Sequence, residues 1–431
     1  MPTFPKYESY KDSGVEWLGE IPSHWELMKV SHSFRLIGSG TTPQSGNVKY
    51  YEDGEICWVN TGDLNDGHLK STSKYLTKAA IKDHSTLKMY TPGTVLMAMY
   101  GATIGKAAIL DFEACTNQAC CALSDSKFHI PKFIFYWLLG NRQSIIAQSY
   151  GGGQPNISQE IIKALKISTP PIAEQQRIVE FLDRTTTDID RAIAQKQRLI
   201  ELLQEQKAIL INQAVTKGLN PNVPMRDSGI EWLGEIPEHW QVRRAKYIFR
   251  EVDERSTTGE EELLSVSHIT GVTPRSEKNV NMFMAEDYSG SKLCHKDDLI
   301  INIMWAWMGA LGVANQTGIV SPSYGVFRQI KPGTFNSWYL EHLLRSIEYV
   351  AQYNRISTGL HSSRLRLYPH MFLSMEILLP PKDEQDQIEA ITIDRIREID
   401  AAIDSIDRET SVLEELRSVL ISQAVTGKVK V

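Results

Sequence analysis

Apolar and polar positions along the chain follow two different rhythms. Alternating steps of four and three residues from Ile178 select Ile178, Leu182, Thr185, Ile189, Ala192, Lys196, Leu199, Leu203, Gln206 and Leu210, seven of them apolar. The same stepping from Ile388 selects Ile388, Thr392, Arg395, Ile399, Ala402, Ile406, Glu409, Leu413, Leu416 and Leu420, again seven apolar. That rhythm predicts two long helices whose matching seams pack on each other as a coiled coil. Pro170-Pro171 and Pro380-Pro381 delay each helix start, Glu174 and Asp383-Glu384 suit a first turn, and Gly218 and Gly427 suit the C-terminal caps. About 40 residues at roughly 1.5 Å each give a spacer on the order of 60 Å long. Lys196 and Arg395 are read as a solvated flank with the register displaced by one residue; the alternative is a register-setting or partner-binding role. Elsewhere the rhythm shortens to strand-like runs at 55–60, 94–99, 106–110, 299–304 and 325–330, and to short helices at 133–140 and 338–345, the first opened by Pro131.

The chain also repeats itself. DSGVEWLGEIPSHW at 12–25 returns as DSGIEWLGEIPEHW at 227–240, identical at 12 of 14 positions and offset by 215. The segment 170–219 opens with PPIAEQQRI and ends with INQAVTKGL; 380–429 opens with PPKDEQDQI and ends with ISQAVTGKV, offset by 210. The interiors, 26–169 and 241–379, share little that aligns by eye. A tandem duplication has kept its frame and let two inserted modules diverge, which suits two different readers held in one frame.

The 431 residues suffice for two to four domains with their own cores, and 42% hydrophobic with 23% charged residues is ordinary globular composition. No apolar run reaches 18 residues, and the N-terminus lacks a secretory pattern. The five cysteines contain no Cys-x-x-Cys pair, so a disulfide scaffold or zinc ribbon is excluded and a reducing cytoplasm is expected. The net charge of −6 is unevenly spread: 26–169 holds 14 Lys+Arg against 11 Asp+Glu, and 241–379 holds 15 against 14. The interiors are thus the relatively basic part of an acidic chain.

Catalytic patterns fail one by one. GATIGKA at 101–107 is one residue short of a phosphate loop and lacks the hydroxyl after Lys106. Gly38-Ser-Gly40 lacks the third glycine of a dinucleotide fingerprint. Thr169-Pro-Pro-Ile lacks both the amide and the ring of an amino-methyltransferase motif. Eleven histidines show no metal-ligand spacing. What remains are polar, glycine-bearing loops: GSGTTPQ at 38–44, YGATIGK at 100–106 and GGGQPNIS at 151–158, with 265–270, 304–312 and 357–366 in the second interior. Glycine admits close approach of a ligand, while Asn, Gln and Arg pair with base edges. Simple turns are the plain alternative for each loop.

These blocks, in this order, resemble the specificity subunits of Type I restriction–modification systems nearly end to end. The resemblance rests on the two DSG…HW segments, PPIAEQQRIVEFLD with its partner PPKDEQDQI, YGATIGKAAI and GGGQPNIS. It implies an α+β fold: two mixed α/β target recognition domains separated by two long antiparallel helices in a coiled coil, with pseudo-twofold symmetry. The divisions are then an N-terminal repeat segment at 1–25, a first recognition domain at 26–169, a central spacer at 170–226, a repeat segment plus second recognition domain at 227–379, and a C-terminal spacer helix at 380–431. The implied chain is not an enzyme, binds no cofactor itself and reads a bipartite, asymmetric double-stranded DNA target in a prokaryotic cytoplasm. It recruits two modification subunits, which carry S-adenosylmethionine and methylate adenine N6, and two restriction subunits that use ATP and Mg. A circular arrangement is also implied, with 1–25 beside the end of the second helix as 226–240 is beside the end of the first. The family's recognition loops fall on Thr41, Thr42, Pro43, Tyr100, Thr103, Lys106, Gln154, Asn156 and Ser158. The second interior departs from those patterns, and its corresponding residues are Trp305, Trp307, His361, Ser363 and Arg364. A stand-alone two-domain DNA-binding protein is the alternative reading.

Overall fold

The computed structural model describes residues 4–149, 156–277, 287–359, 361 and 364–431. They form two compact units, one comprising Met1–Gln197 with Asp407–Val431, the other Arg198–Ile406. Two long helices, α1 (Ile172–Lys217) and α2 (Lys382–Val425), contribute to both units.

The first unit is built on a five-stranded sheet of β1 (Leu36–Gly38), β2 (Gly67–Leu69), β3 (Val95–Ala98), β4 (Ala107–Leu110) and β5 (Cys120–Ser124), in the order β1-β5-β3-β4-β2. Only the β4–β2 pairing is parallel. Alternate residues face opposite sides, as the pleat requires. Val95, Met97, Ile109, Cys121 and Leu123 pack with the helix Pro131–Gly140, while Leu96, Ala98, Leu110, Cys120 and Ala122 pack with Val59, Leu64 and Tyr90. Both faces are covered, which explains the unbroken apolar runs VLMA, AAIL and CCALS.

The second unit holds β6 (Phe249–Glu251), β7 (Leu299–Ile301), β8 (Leu311–Val313) and β9 (Gly325–Gln329) in the order β6-β9-β7-β8, all antiparallel. This is the β1-β5-β3-β4 arrangement again, strand for strand. The two interiors therefore share a sheet that their sequences do not disclose, because a doubly covered strand needs only some apolar residue at each position.

The repeated flanks recur as well. The hairpin Tyr10–Asp12 with Glu20–Pro22 matches Met225–Asp227 with Glu235–Pro237, and the pairing of Glu26–Lys29 with Lys166–Thr169 matches that of Gln241–Arg244 with Glu376–Leu379. In the first unit the end of α2 meets the N-terminal segment: Lys430 N donates to Pro5 O at 2.8 Å. Gly427 has φ +73°, and a Cβ there would lie 2.3 Å from Pro22 Cδ. In the second unit the end of α1 meets the repeated segment, with Lys217 Nζ donating to Glu235 O.

Helix pairing is antiparallel in each unit. The first unit joins Asp190 to Arg417 at 2.9 Å and Lys196 to Glu409 at 2.5 Å; the second joins Lys207 to Asp400 at 2.7 Å. The heptad register drawn from the sequence holds at the buried positions of α2, Ile388, Thr392, Ile406 and Leu420, but slips midway along α1. Leu199 is 46% exposed and Ile200 only 5%; on α2, Arg395 and Ala402 are exposed while Ile396 and Ile403 are half-buried. From Ile178, 21 residues at about 100° each fall about 60° short of whole turns, whereas 22 overshoot by about 40°. The buried line of α1 thus drifts by one residue. Lys196 flanks this line and reaches Glu409; Arg395 is a solvated flank.

The conserved frame of the repeat has a physical cause at each helix start. Buried Gln175 accepts from Ile130 N at 2.9 Å and donates to Phe128 O and Pro170 O at 2.8 and 2.9 Å. Gln385 does the same with Asn336 N at 2.8 Å, Thr334 O at 3.2 Å and Pro380 O at 3.0 Å. The preceding glutamates hold the histidines of the HW pairs: His24 to Glu174 at 2.9 Å and His239 to Glu384 at 2.7 Å. Burial alone would raise the Glu174 carboxyl, but hydrogen bonds from Tyr7, His24 and Trp25 outweigh it and hold the group below its ordinary value.

Gln175→Ala leaves a buried N–H and two carbonyls unpaired, so a loss of about 2–4 kcal/mol is expected, against under ~0.5 kcal/mol for exposed Gln176→Ala; thermal melting checks both. A second expectation concerns His129, 4% exposed and stacked between Phe34 and Phe133, with neither ring nitrogen partnered among the described residues. Burial pushes its pKa down from 6.5 to about 4. The unfolded chain therefore takes up this proton first, and stability present above 6.5 is lost as pH falls towards 4. His129→Phe should remove up to ~3 kcal/mol of that acid-side slope in denaturation measured between pH 7 and 4.

Candidate nucleic-acid interface

The register of the first sheet brings three of the polar loops to one edge. β5 lies between β1 and β3, with Ala122 opposite Gly38 and Cys120 opposite Ala98. The chain beyond those pairs places 40–43, 99–100 and 116–119 side by side. Met99 N donates to Ala119 O at 2.8 Å, and Gly40 N donates to Thr116 Oγ1 at 3.0 Å and Asn117 O at 3.2 Å. Thr42 is exposed and its hydroxyl donates to Gln118 Oε1 at 2.5 Å, beside the Tyr100 hydroxyl. Pro43 is buried, and its carbonyl accepts from Tyr51 Oη at 2.6 Å. Asn156, exposed, bridges Tyr100, and Ile157 N donates to Met99 O at 2.8 Å. Thr41 is half-buried beside them.

Thr103 and Lys106 belong to the turn between β3 and β4. Lys106 N donates to Thr103 O at 3.0 Å, and Gly105 N to Ala98 O at 2.9 Å. No helix follows this turn, so the phosphate-loop comparison fails structurally as well. Ser158 caps the helix Gln159–Ala164, its hydroxyl accepting from Ile161 N at 3.3 Å. Gln154 lies outside the described residues.

In the second unit the corresponding edge is built differently. By strand register Asn302 stands where the first unit has Ala98 and Tyr324 where it has Cys120, so Met304 and Pro322 take the places of Tyr100 and Gln118. Asn302 Nδ2 donates to Tyr324 Oη at 3.1 Å. The turn after β7 carries Trp305 and Trp307, stacked at 5.9 Å; Trp305 is 47% exposed, and Trp307 Nε1 donates to Met304 O at 3.0 Å. Leu367 N donates to Ile303 O at 3.1 Å, which brings 364–367 to this turn. His361 is exposed and its carbonyl accepts from Arg364 N at 2.9 Å. Arg355, Arg364 and Arg366 are exposed, and among the described residues none has an ion-pair partner. Ser363 lies outside the described residues.

Sequence reasoning missed Gln118 and Tyr324. The one signal for Gln118 was the polar triplet Thr116-Asn117-Gln118 interrupting two apolar runs. The chemistry at this edge is donor and acceptor chemistry. Burial pushes the Cys115 and Cys121 thiols up to about 12, away from thiolate reactivity. Among the described residues no group of three His, Cys, Asp or Glu side chains could hold a metal ion, and no helix is long and apolar enough to cross a membrane.

The family model described as the Type I restriction modification DNA specificity domain matches residues 22–202. The specificity subunit of the type I restriction enzyme MjaVIII of Methanocaldococcus jannaschii is 23% identical over 447 residues, covering 99% of this chain and 97% of that protein. The chain is thus similar to a type I specificity subunit along nearly its whole length, and residues 22–202 match that family's DNA specificity domain. The EcoR124I/EcoR124II specificity subunit of Escherichia coli is 29% identical over 206 residues, covering 46% of this chain and 47% of that one. A chain from a solved type I R-M system superposes with a TM-score of 0.63 at 15% identity, covering 94% of this chain and 98% of that one, and so shares the fold. The family model reaches only the first interior and its helix. The second unit repeats the four-strand order of the matched region.

Gly40 fixes the path of Thr41-Thr42-Pro43. A Cβ at this position would lie 1.7 Å from Thr116 O. Gly40→Ala is therefore expected to cost at least 1–3 kcal/mol through overpacking, with the 40–43 backbone displaced. A melting curve measures the first effect; chemical shifts of Thr41, Thr42 and Gln118 amides measure the second.

Proposed function

We propose that this chain is the DNA-recognition subunit of a type I restriction–modification assembly, each unit reading one half of an interrupted double-stranded target. One observation carries the reading: two sheets of equivalent strand order present, at the same edge, loops of different composition. Equal scaffolds give two readers; unequal loops give an asymmetric target. Thr42, Gln118, Tyr100 and Asn156 form the polar edge of one reader, while Trp305, Trp307, Arg355, Arg364 and Arg366 suit the other. The chain positions DNA and leaves chemistry to its partners. Two modification subunits supply S-adenosylmethionine and methylate adenine N6; two restriction subunits supply ATP- and Mg-dependent translocation and cleavage. With a net charge of −6 the chain by itself has little long-range attraction for phosphates, so much of the affinity comes from the assembled complex.

Co-expression with the candidate modification subunit, followed by methylome sequencing, tests this reading. An interrupted, asymmetric motif with N6-methyladenine in both halves, absent when this chain is omitted, is the expected result. A partner that is active with another specificity subunit but adds no methylation with this one would overturn it in favour of a stand-alone DNA-binding protein.

A further inference from the structure

The side chain of Gln118 is exposed, yet a neighbouring side chain already orients it. A glutamine amide offers two lone pairs and two N–H groups. Thr42 Oγ1 donates to its Oε1 at 2.5 Å. One lone pair and an N–H remain available, on a side chain open to solvent. That remaining pair is complementary to the adenine major-groove edge, where N6–H donates and N7 accepts. The amide is also preorganised, so little rotamer freedom is lost on contact.

We infer that Gln118 is a specificity-determining residue of the first unit, reading an adenine in its half-site through the N6 and N7 edge. The inference rests on the DNA-recognition reading above. Its backbone is held on both sides, since Gly40 N bonds to Asn117 O and Met99 N to Ala119 O. Thr42 is then a positioning residue that aims the amide. The second unit marks the contrast. By strand register Met304 and Pro322 stand where the first unit has Tyr100 and Gln118. That unit cannot present an amide from this position, so the adenine reader belongs to one half-site.

The test uses the full chain assembled with its modification subunit, methylating duplexes that carry each of the four bases in turn at every target position. The wild-type chain comes first: absence of any interrupted motif would sink the recognition reading itself, before Gln118 is at issue. Given a wild-type motif, Gln118→Glu replaces the donor with a second acceptor, and Gln118→Met removes both while keeping the length. The expected result is a roughly 10- to 100-fold loss of adenine preference at a single position of one half-site. Gln118→Glu should gain cytosine there, and the other half-site should stay unchanged in both variants. Adenine preference retained at every position in both variants would overturn the inference. So would complete loss of methylation in both, which would make Gln118 a structural residue.

Discussion

Each half of this protein depends on a glutamine amide buried at the start of a long helix. Gln175 and Gln385 each bind one backbone N–H and two carbonyls where a short connection, a Pro-Pro turn and the first helical turn converge. Helix starts leave donors unpaired, and a proline-rich turn supplies few of its own, so without the amide these groups would be buried unsatisfied. The same three bonds occur in both units although the residues they reach differ. Backbone atoms are the partners, and backbone atoms do not mutate. The fixed requirement is one amide at one position, which is why EQ survives in a repeat whose interiors have diverged.

From that junction the two long helices gain their antiparallel pairing. The ion pairs across them, Asp190–Arg417, Lys196–Glu409 and Lys207–Asp400, involve partly exposed side chains, and pairs of that kind contribute ~0–1 kcal/mol each. They favour one alignment over its neighbours more than they stabilise the pair. Burial of Ile178, Leu182, Ile189, Ile200, Ile388, Thr392, Ile406 and Leu420 supplies the driving force. On α2 these residues keep a seven-residue count, whereas on α1 the line follows the 3.6-residue helix, so the count there reaches an exposed leucine, Leu199.

The recognition edges show the opposite economy. In each unit the sheet is covered on both faces and tolerant of any apolar residue of suitable size, while the loops beyond the strand ends carry the polar groups. Strand register, not loop sequence, decides which loops meet. Placing β5 between β1 and β3 makes neighbours of 42, 100 and 118, residues separated by up to 76 positions. Placing β9 between β6 and β7 does the same for Asn302 and Tyr324. A shared frame with exchangeable loops permits a half-site to change without disturbing the helices.

The sequence by itself determined the duplication, the two long helices, the proline turns before them and the strand-like runs at 94–99, 106–110 and 325–330, because each of these is a local pattern of polarity or an exact repetition. It also directed attention to the loops at 41–43, 100–106 and 156–158, since glycine and amide residues between apolar runs are a local signal too. Only the tertiary structure decided that the two dissimilar interiors hold the same four-strand order, that Ser158 is committed to a helix cap, and that Thr42, Tyr100 and Gln118 form one cluster. Pairing between strands distant in sequence is set by packing on both faces of a sheet, and a residue such as Gln118 carries no mark of the neighbours that orient it. The register of α1 beyond Ile189 belongs with these, because a drift of about 20° per heptad is invisible over one repeat and decisive over three.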